Sequence, residues 1–160
     1  MILGWLVEKE FEMIKVLFIC HGNICRSPMA EFVLKEMVKE KGIEGNFYIE
    51  SAAISYEEIG NPVYPPVKRL LESLGIDCSN KHARIMTKND YEEFDYILGM
   101  DISNIYGIKR IIGEDSSNKV HLLMEYTGEN TEVSDPWYTR DFNEAYNDIY
   151  RGCKAFLESI

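Results

Sequence analysis

Two cysteines, Cys20 and Cys25, lie within VLFICHGNICRSPMAE (16–31). They flank a glycine–asparagine pair, and Cys25 directly precedes Arg26. A thiolate is a nucleophile, and a guanidinium can hold two oxygens of a phosphate through paired hydrogen bonds. Glycine and asparagine adopt left-handed backbone angles readily, which lets successive backbone N–H groups converge on one point. This combination of residues predicts an anion site with a cysteine at its floor.

The segments around this turn favour the same interpretation. KVLFIC (15–20) is typical of a buried strand, and SPMAEFVLKEMVKEKG (27–42) is typical of a helix, with Ser27 as the predicted N-cap. The first N–H groups of a helix lack intrahelical acceptors, and the helix dipole places about half a positive charge there. We therefore predict that strand, turn and helix N-terminus form a cradle for an anion, with Gly22 and Asn23 shaping the turn.

The electrostatic field that holds a phosphate also stabilises a thiolate. Helix N-termini and neighbouring cations lower the pKa of a cysteine from about 8.5 to roughly 3.5–7.5. We therefore expect Cys20 to attack a bound phosphate at neutral pH. The turn has neither the lysine of a Walker A loop nor a G-x-G-x-x-G pattern, so it differs from the nucleotide-binding loops.

A proton donor is predicted in SDPWYT (134–139). A thiolate that attacks a phosphate monoester must expel an alkoxide or phenolate, and a positioned acid accelerates that step by roughly 10²–10⁴-fold. Asp135 is the best candidate, because Pro136 stiffens the chain beside it. Trp137 and Tyr138 follow with flat apolar surfaces that suit an aromatic leaving group.

The composition indicates one globular domain that binds neither nucleic acid nor metal. The chain has 160 residues and a formal net charge of −10, whereas nucleic-acid binding requires a basic surface. Cys78 and Cys153 are predicted to be buried packing residues. The three histidines form no zinc-ligand pattern with the cysteines; His21 is expected at the mouth of the cradle and His82 at the surface.

Residues 1–12 are interpreted as an N-terminal extension before a domain over 13–160. They lack the basic region of a secretory signal, and no segment of the chain is apolar enough to span a membrane. We therefore expect a cytoplasmic protein with reduced cysteines and no membrane partner.

Apolar runs and helix-like stretches alternate along the chain. The predicted strands are 15–20, 46–53, 94–100 and 119–126. The predicted helices are 27–42, 64–75, 87–94, 101–108 and 141–160. Such alternation predicts a parallel sheet with helices on both faces, in which ligands bind beyond the carboxyl ends of the strands. The cradle follows the first strand and therefore lies at that edge.

These residues resemble the low-molecular-weight protein tyrosine phosphatase family. The resemblance rests on CHGNICRSPMAE (20–31), SAAISYEEIGNP (51–62), FDYILGMDISN (94–104) and SDPWY (134–138), and it extends from about Ile14 to the C-terminus. It implies an α/β fold, a single three-layer domain with a four-stranded parallel sheet, helices on both faces and flavodoxin-like strand order. It also implies hydrolysis of tyrosine-phosphorylated proteins or small aryl phosphates, with inorganic phosphate as product and no cofactor.

The resemblance further implies roles for individual residues. Cys20 would form a cysteinyl-phosphate, Arg26 would bind the phosphate oxygens, and Asp135 would act as general acid and then as general base. The predicted substrate-binding residues are His21, Gly22, Asn23, Ile24, Cys25, Ser27, Trp137 and Tyr138. Asp101 and Asn104 would support the site. In this family a cysteine at the position of Cys25 forms a reversible disulfide with the nucleophile, which would protect Cys20 from irreversible oxidation.

Three positions depart from the family pattern. His21 stands where many members carry an apolar or small residue, and Glu57 stands where many carry an aromatic residue. Lys81 replaces the usual histidine of a His-x-Ala-Arg segment. We expect the first two to change the polarity and shape of the mouth.

Three other functions on this fold are weighed against phosphotyrosine hydrolysis. A thiol-dependent arsenate reductase needs two further cysteines close together, and Cys78 has no such neighbour in the sequence. Protein-arginine phosphatases resemble this loop but tend to carry threonine where Ile24 stands. A non-catalytic phosphopeptide-binding module would lack the nucleophile or the acid, whereas both Cys20 and Asp135 are present.

Overall fold

A computed structural model describes residues 13–160; the proposed extension, 1–12, lies outside the described residues. The strands are β1 (Ile14–Cys20), β2 (Phe47–Ala53), β3 (Tyr96–Gly99) and β4 (Val120–Leu122). The helices are α1 (Arg26–Glu40), α2 (Pro65–Ser73), α3 (Lys88–Glu93), α4 (Ile102–Ile112), α5 (Pro136–Thr139) and α6 (Phe142–Ser159). Short 3₁₀ helices span Glu44–Asn46 and Leu123–Thr127.

The four strands form one parallel sheet in the order β2-β1-β3-β4. Because successive side chains of a strand face opposite sides, β1 contributes to two cores. Val16 and Phe18 pack with α1, α2 and α6, whereas Leu17 and Ile19 pack with α3 and α4. The predicted three-layer α/β fold with flavodoxin-like strand order is therefore confirmed.

Some predicted boundaries are wrong. Helix α1 begins at Arg26 with Cys25 as its N-cap, so Ser27 is the second helical residue and not the cap. The predicted strand over 119–126 ends at Leu122, and the chain continues as a 3₁₀ helix. The reason is that Leu123 and the residue after it pack into the same core, whereas adjacent strand residues would face opposite sides.

The topology brings three distant segments to one edge of the sheet. Cys20 is the last residue of β1, and Asp101, the N-cap of α4, follows β3. The segment 128–135 follows β4 and its 3₁₀ helix and leads into α5, which the sequence analysis missed and whose N-cap is Asp135. Within 13–160, no helix has the length and apolar character to cross a membrane.

Candidate active site

The turn between β1 and α1 brings Ser27 back to the sulfur of Cys20. Asn23 adopts a left-handed conformation with φ of 60°, as its sequence position predicts. Cys20 is only 4% exposed. Its Sγ lies 3.0 Å from the Ser27 hydroxyl and 3.4 Å from the Ser27 backbone nitrogen. Because Ser27 is the second residue of the helix, its N–H has no intrahelical acceptor and is free to donate to the sulfur.

A buried network fixes the direction of the hydrogen bond from Ser27. The backbone N–H of Arg84 donates to Asn23 Oδ1 at 3.1 Å, which defines the orientation of the Asn23 amide. Asn23 Nδ2 then donates to Ser27 Oγ at 2.8 Å and to Ser51 Oγ at 2.9 Å. Since Ser27 Oγ accepts from the amide, its own hydrogen is available for the sulfur of Cys20. The sulfur of Cys20 therefore receives two hydrogen bonds from Ser27, one from the hydroxyl and one from the backbone N–H.

A buried ion pair completes this network. The Ser51 hydroxyl donates to Glu31 Oε1 at 2.5 Å, and Lys81 Nζ lies 3.3 Å from the same oxygen and 2.8 Å from the Ser51 carbonyl. Glu31 is 3% exposed, and a second lysine, Lys35, contacts its other oxygen at 2.6 Å. Burial lowers the pKa of Lys81, although the carboxylate of Glu31 counteracts this effect. Lys81 thus holds the carboxylate that orients Ser51.

We expect Lys81→Met to destabilise the protein by about 1–3 kcal/mol, because one oxygen of Glu31 loses a cation in a buried setting. Lys35→Met is the matched control, since it removes the other lysine from the same carboxylate. Its side chain is 43% exposed against 11% for Lys81, so we expect a loss below about 1 kcal/mol. Urea unfolding of the two variants measures the difference. Equal losses would contradict the role given to Lys81.

The guanidinium of Arg26 joins the three segments of the site. Its Nη2 lies 2.7 Å from Asp101 Oδ2 and 3.4 Å from Asp135 Oδ2, and its Nη1 donates to the Val133 carbonyl at 3.1 Å. Burial opposes the charge on Arg26, but the negative charges at Cys20, Asp101 and Asp135 outweigh this effect and raise its pKa. A guanidinium has five N–H donors, more than these three contacts use.

Asp101 holds Arg26 with one oxygen and caps α4 with the other. Its Oδ1 accepts the Ser103 hydroxyl at 2.6 Å and the Asn104 backbone N–H at 3.0 Å. Although burial opposes it, the hydrogen bonds from Ser103 and Arg26 lower the pKa of Asp101. Asn104 is fully buried, and its Oδ1 accepts the backbone N–H of Asp101 at 3.0 Å. Both residues therefore lie where the sequence analysis expects supports.

The two carboxylate oxygens of Asp135 have different partners. Oδ1 accepts the backbone N–H of Trp137 at 3.0 Å, which caps α5, whereas Oδ2 is the oxygen near Arg26. The Asp135 side chain is 33% exposed, so the carboxylate lies at the border between the buried guanidinium and solvent. Trp137 and Tyr138 are among the most exposed aromatic residues, at 79% and 82%, directly beside it. Oδ1 is therefore used for the helix cap, whereas the only contact of Oδ2 among the described residues is the one with Arg26.

A further wall of the mouth, at His21 and Glu57, carries charge where an aromatic residue is common in the family that the sequence resembles. His21 Nε2 lies 3.2 Å from Glu57 Oε2, and both side chains are largely exposed. Gly22 closely approaches this wall, since a Cβ there would lie 3.2 Å from Cγ of Glu58. Ile24 is half-buried, and its carbonyl accepts the Tyr64 N–H at 2.8 Å. The structure thus places His21 beside Glu57 and Gly22 beside Glu58, in the segment that follows β2.

The remaining cysteines and histidines agree with their expected positions. Burial and the negative charge at Cys20 raise the pKa of Cys25 to about 12, so Cys25 is a thiol at neutral pH. Cys78 and Cys153 are buried, and His82 is exposed. None of the four cysteines, all of which lie within 13–160, forms a disulfide in this structure, and a bond between Cys20 and Cys25 stays a prediction. Residues 13–160 contain no cluster of three or more His, Cys, Asp or Glu that could hold a metal ion.

Several residues of the network were missed by the sequence analysis. Glu31, Ser51 and Arg84 come from α1, β2 and the segment before α3, and only the folded chain brings them to the cradle. A signal existed for Glu31, because a carboxylate four residues after Ser27 falls on the buried stripe of an otherwise apolar helix face. For Arg84 the contact is made by the backbone N–H, which no sequence pattern indicates.

Comparisons with known proteins identify the family of the chain. The profile of the family described as low molecular weight phosphotyrosine protein phosphatase matches residues 15–160. The low molecular weight protein-tyrosine-phosphatase YfkJ of Bacillus subtilis is 38% identical over 92% of this chain and 96% of its own, and its crystal structure gives a TM-score of 0.88. The phosphatase of Gallus gallus is 42% identical over 92% of this chain and 96% of its own.

An arginine phosphatase from Drosophila is also similar, with 32% identity, a TM-score of 0.83 and coverage of 91% of this chain and 97% of its own. The family profile and the two phosphotyrosine phosphatases each cover almost the whole described chain. The chain therefore belongs to the low-molecular-weight phosphotyrosine protein phosphatase family of phosphoric monoester hydrolases.

Proposed function

We propose that the protein hydrolyses phosphotyrosine and related aryl phosphate monoesters through a cysteinyl-phosphate, with Cys20 as nucleophile, Arg26 as phosphate binder and Asp135 as general acid and base. One observation carries the proposal: the guanidinium of Arg26, six residues after Cys20, lies 3.4 Å from the carboxylate of Asp135. This contact supports a site in which the nucleophile, the phosphate-binding arginine and the proton donor act on the same phosphate group.

In the first step, the Cys20 thiolate attacks phosphorus and the bond from phosphorus to the aryl oxygen breaks. The leaving phenolate takes the proton from Oδ2 of Asp135, which is the oxygen not used to cap α5. Arg26 and the backbone N–H groups of 21–27 stabilise the charge on the transferring phosphoryl group. Trp137 and Tyr138 offer surfaces on which the tyrosine ring of the substrate packs.

In the second step, the carboxylate of Asp135 takes a proton from a water molecule, whose oxygen attacks phosphorus. The bond between sulfur and phosphorus breaks, inorganic phosphate leaves and Cys20 returns as a thiolate. The hydrogen from Ser27, oriented through Asn23, stabilises this leaving thiolate. Every proton and electron pair is thus supplied by the chain, the ester and water.

Phosphoarginine is the second candidate substrate, because the similar Drosophila protein is named an arginine phosphatase. Ile24 supports the tyrosine assignment, since its bulky side chain stands in the loop where arginine phosphatases tend to have threonine. The test compares two peptides of one sequence, one phosphorylated on tyrosine and one on arginine, with EDTA present. We expect kcat/KM to be at least roughly tenfold higher for the tyrosine peptide.

The reverse preference would assign the protein to arginine phosphatases. If neither peptide releases phosphate while both bind, the protein is a phosphopeptide-binding module and the proposal is wrong.

A further inference from the structure

The segment that carries Asp135 has no regular secondary structure of its own. It runs from Gly128, after the 3₁₀ helix, to Asp135, directly before α5. Catalysis requires the acid to stay within about 0.5 Å of its working position, and loops achieve this only when neighbouring elements fix their backbone. The contacts that hold 133–135 therefore decide how well the acid is placed.

The backbone of Val133 makes two of these contacts, with Met100 and with Arg26 of the cradle. The Val133 N–H donates to the Met100 carbonyl at 3.0 Å, and the Val133 carbonyl accepts Nη1 of Arg26 at 3.1 Å. They fix the backbone on the N-terminal side of Ser134. The peptide group between Val133 and Ser134 presents its N–H in another direction, away from these partners.

That N–H is bound by a side chain from a different layer. Ser134 N donates to Asp148 Oδ2 at 2.9 Å. Asp148 lies in α6, one residue before the fully buried Ile149, and its side chain is only 19% exposed. Helix α6 packs its buried face into the main core, so it is a rigid support.

Arg151, also in α6, contacts the other carboxylate oxygen of Asp148. Nη2 of Arg151 lies 3.3 Å from Asp148 Oδ1, and Nη1 of the same guanidinium lies 2.9 Å from Glu129 Oε2. Glu129 belongs to the start of the segment that carries the acid. Asp148 and Arg151 therefore attach this segment to α6 at both of its ends.

We propose that Asp148 is a positioning residue for Asp135, acting through the hydrogen bond to the Ser134 N–H; this inference rests on the proposed role of Asp135 as the acid. Without the carboxylate, the Ser134 N–H loses its acceptor and the peptide rotates to find another. The next residue is Asp135, so its Oδ2 moves relative to Arg26. A misplacement of about 1 Å lowers the rate of a catalysed step by roughly 10²-fold.

The test uses two aryl phosphates that differ in their need for an acid. Phenoxide needs a proton as it leaves, whereas dinitrophenoxide leaves without one. For Asp148→Ala in the full chain, we expect kcat/KM to fall roughly tenfold with phenyl phosphate and less than about twofold with dinitrophenyl phosphate. Asp148→Asn, which keeps an amide oxygen for the Ser134 N–H, should recover most of the activity. Glu144→Ala removes an exposed carboxylate one turn earlier and should change neither value.

The proposal would be overturned if Asp148→Ala lost activity equally with both esters or lost none with either. It would also be overturned if Asp148→Asn were as impaired as Asp148→Ala. Asp148→Gln provides a second variant if the Ala protein does not fold, and we expect an intermediate loss confined to phenyl phosphate. Asp135→Ala is measured on the same esters. If Asp135→Ala shows no dependence on the leaving group, the acid assignment itself fails. If only Asp148→Ala lacks that dependence, the positioning role alone is wrong.

Discussion

Cys20→Ser is expected to abolish hydrolysis of p-nitrophenyl phosphate, with a loss in kcat/KM of roughly 10⁵-fold or more. The oxygen of serine is a poor nucleophile unless a base removes its proton. The groups that contact this position, the hydroxyl and N–H of Ser27, are oriented to donate hydrogen bonds and not to accept a proton. The assay is steady-state release of nitrophenolate at mildly acidic pH.

The matched control is Cys78→Ser, which alters a buried cysteine outside the cradle and should retain turnover. The Cys20→Ser protein should still bind inorganic phosphate, because Arg26 and the backbone N–H groups remain. Isothermal titration calorimetry measures this binding. Rapid denaturation of the unaltered protein during turnover should leave phosphate on the peptide that contains Cys20. Substantial turnover by Cys20→Ser would remove the nucleophile assignment.

The second large effect is expected for Asp135→Ala, with a loss in kcat/KM of roughly 10²–10³-fold for phenyl phosphate. Binding of phosphate should persist, since Arg26 keeps its contacts with Asp101 and the Val133 carbonyl. The same variant should retain phosphorylated proteins long enough to isolate them from a lysate, because both chemical steps are slowed. Initial rates with phenyl phosphate and the affinity for inorganic phosphate are measured on the same preparation.

Asp141→Ala is the control for this variant. Asp141 caps α6 by accepting the Glu144 N–H at 2.9 Å, as Asp135 caps α5, but it makes no contact with Arg26. Loss of a helix cap costs about 1 kcal/mol of stability and should leave kcat/KM nearly unchanged. A comparable loss of activity in both variants would mean that Asp135 acts only as a cap.

The fold was predictable because its signals are local. Alternating apolar runs and amphipathic segments predict parallel strands and crossover helices, and the four strands follow that pattern. The error at 123–126 has a physical origin, since a short apolar run fits a buried strand and a buried turn equally well. Only the packing of Leu123 and Met124 into one core distinguishes them.

The site was predictable in part. Cys20, Arg26 and Asp135 carry chemistry in their residue types and lie at strand ends, so sequence reasoning finds them. The contacts that orient them were not predictable, because they join residues far apart in the chain, such as Ser134 with Asp148 or Asn23 with Arg84. The misassigned cap at Ser27 shows the same limit, since the turn continues to Cys25 before the helix begins.

The bond from Arg26 to the carbonyl of Val133 spans 107 residues of sequence. Loop closure over such a distance is slow, and a chain leaving the ribosome completes its first half well before residue 133 is available. A partly synthesised chain therefore contains Cys20 and Arg26 before it contains the proton donor. Because α1 also packs against α6, near the end of the chain, recovery of catalytic turnover after dilution from denaturant reports assembly of the whole domain and not of the first strand and helix alone.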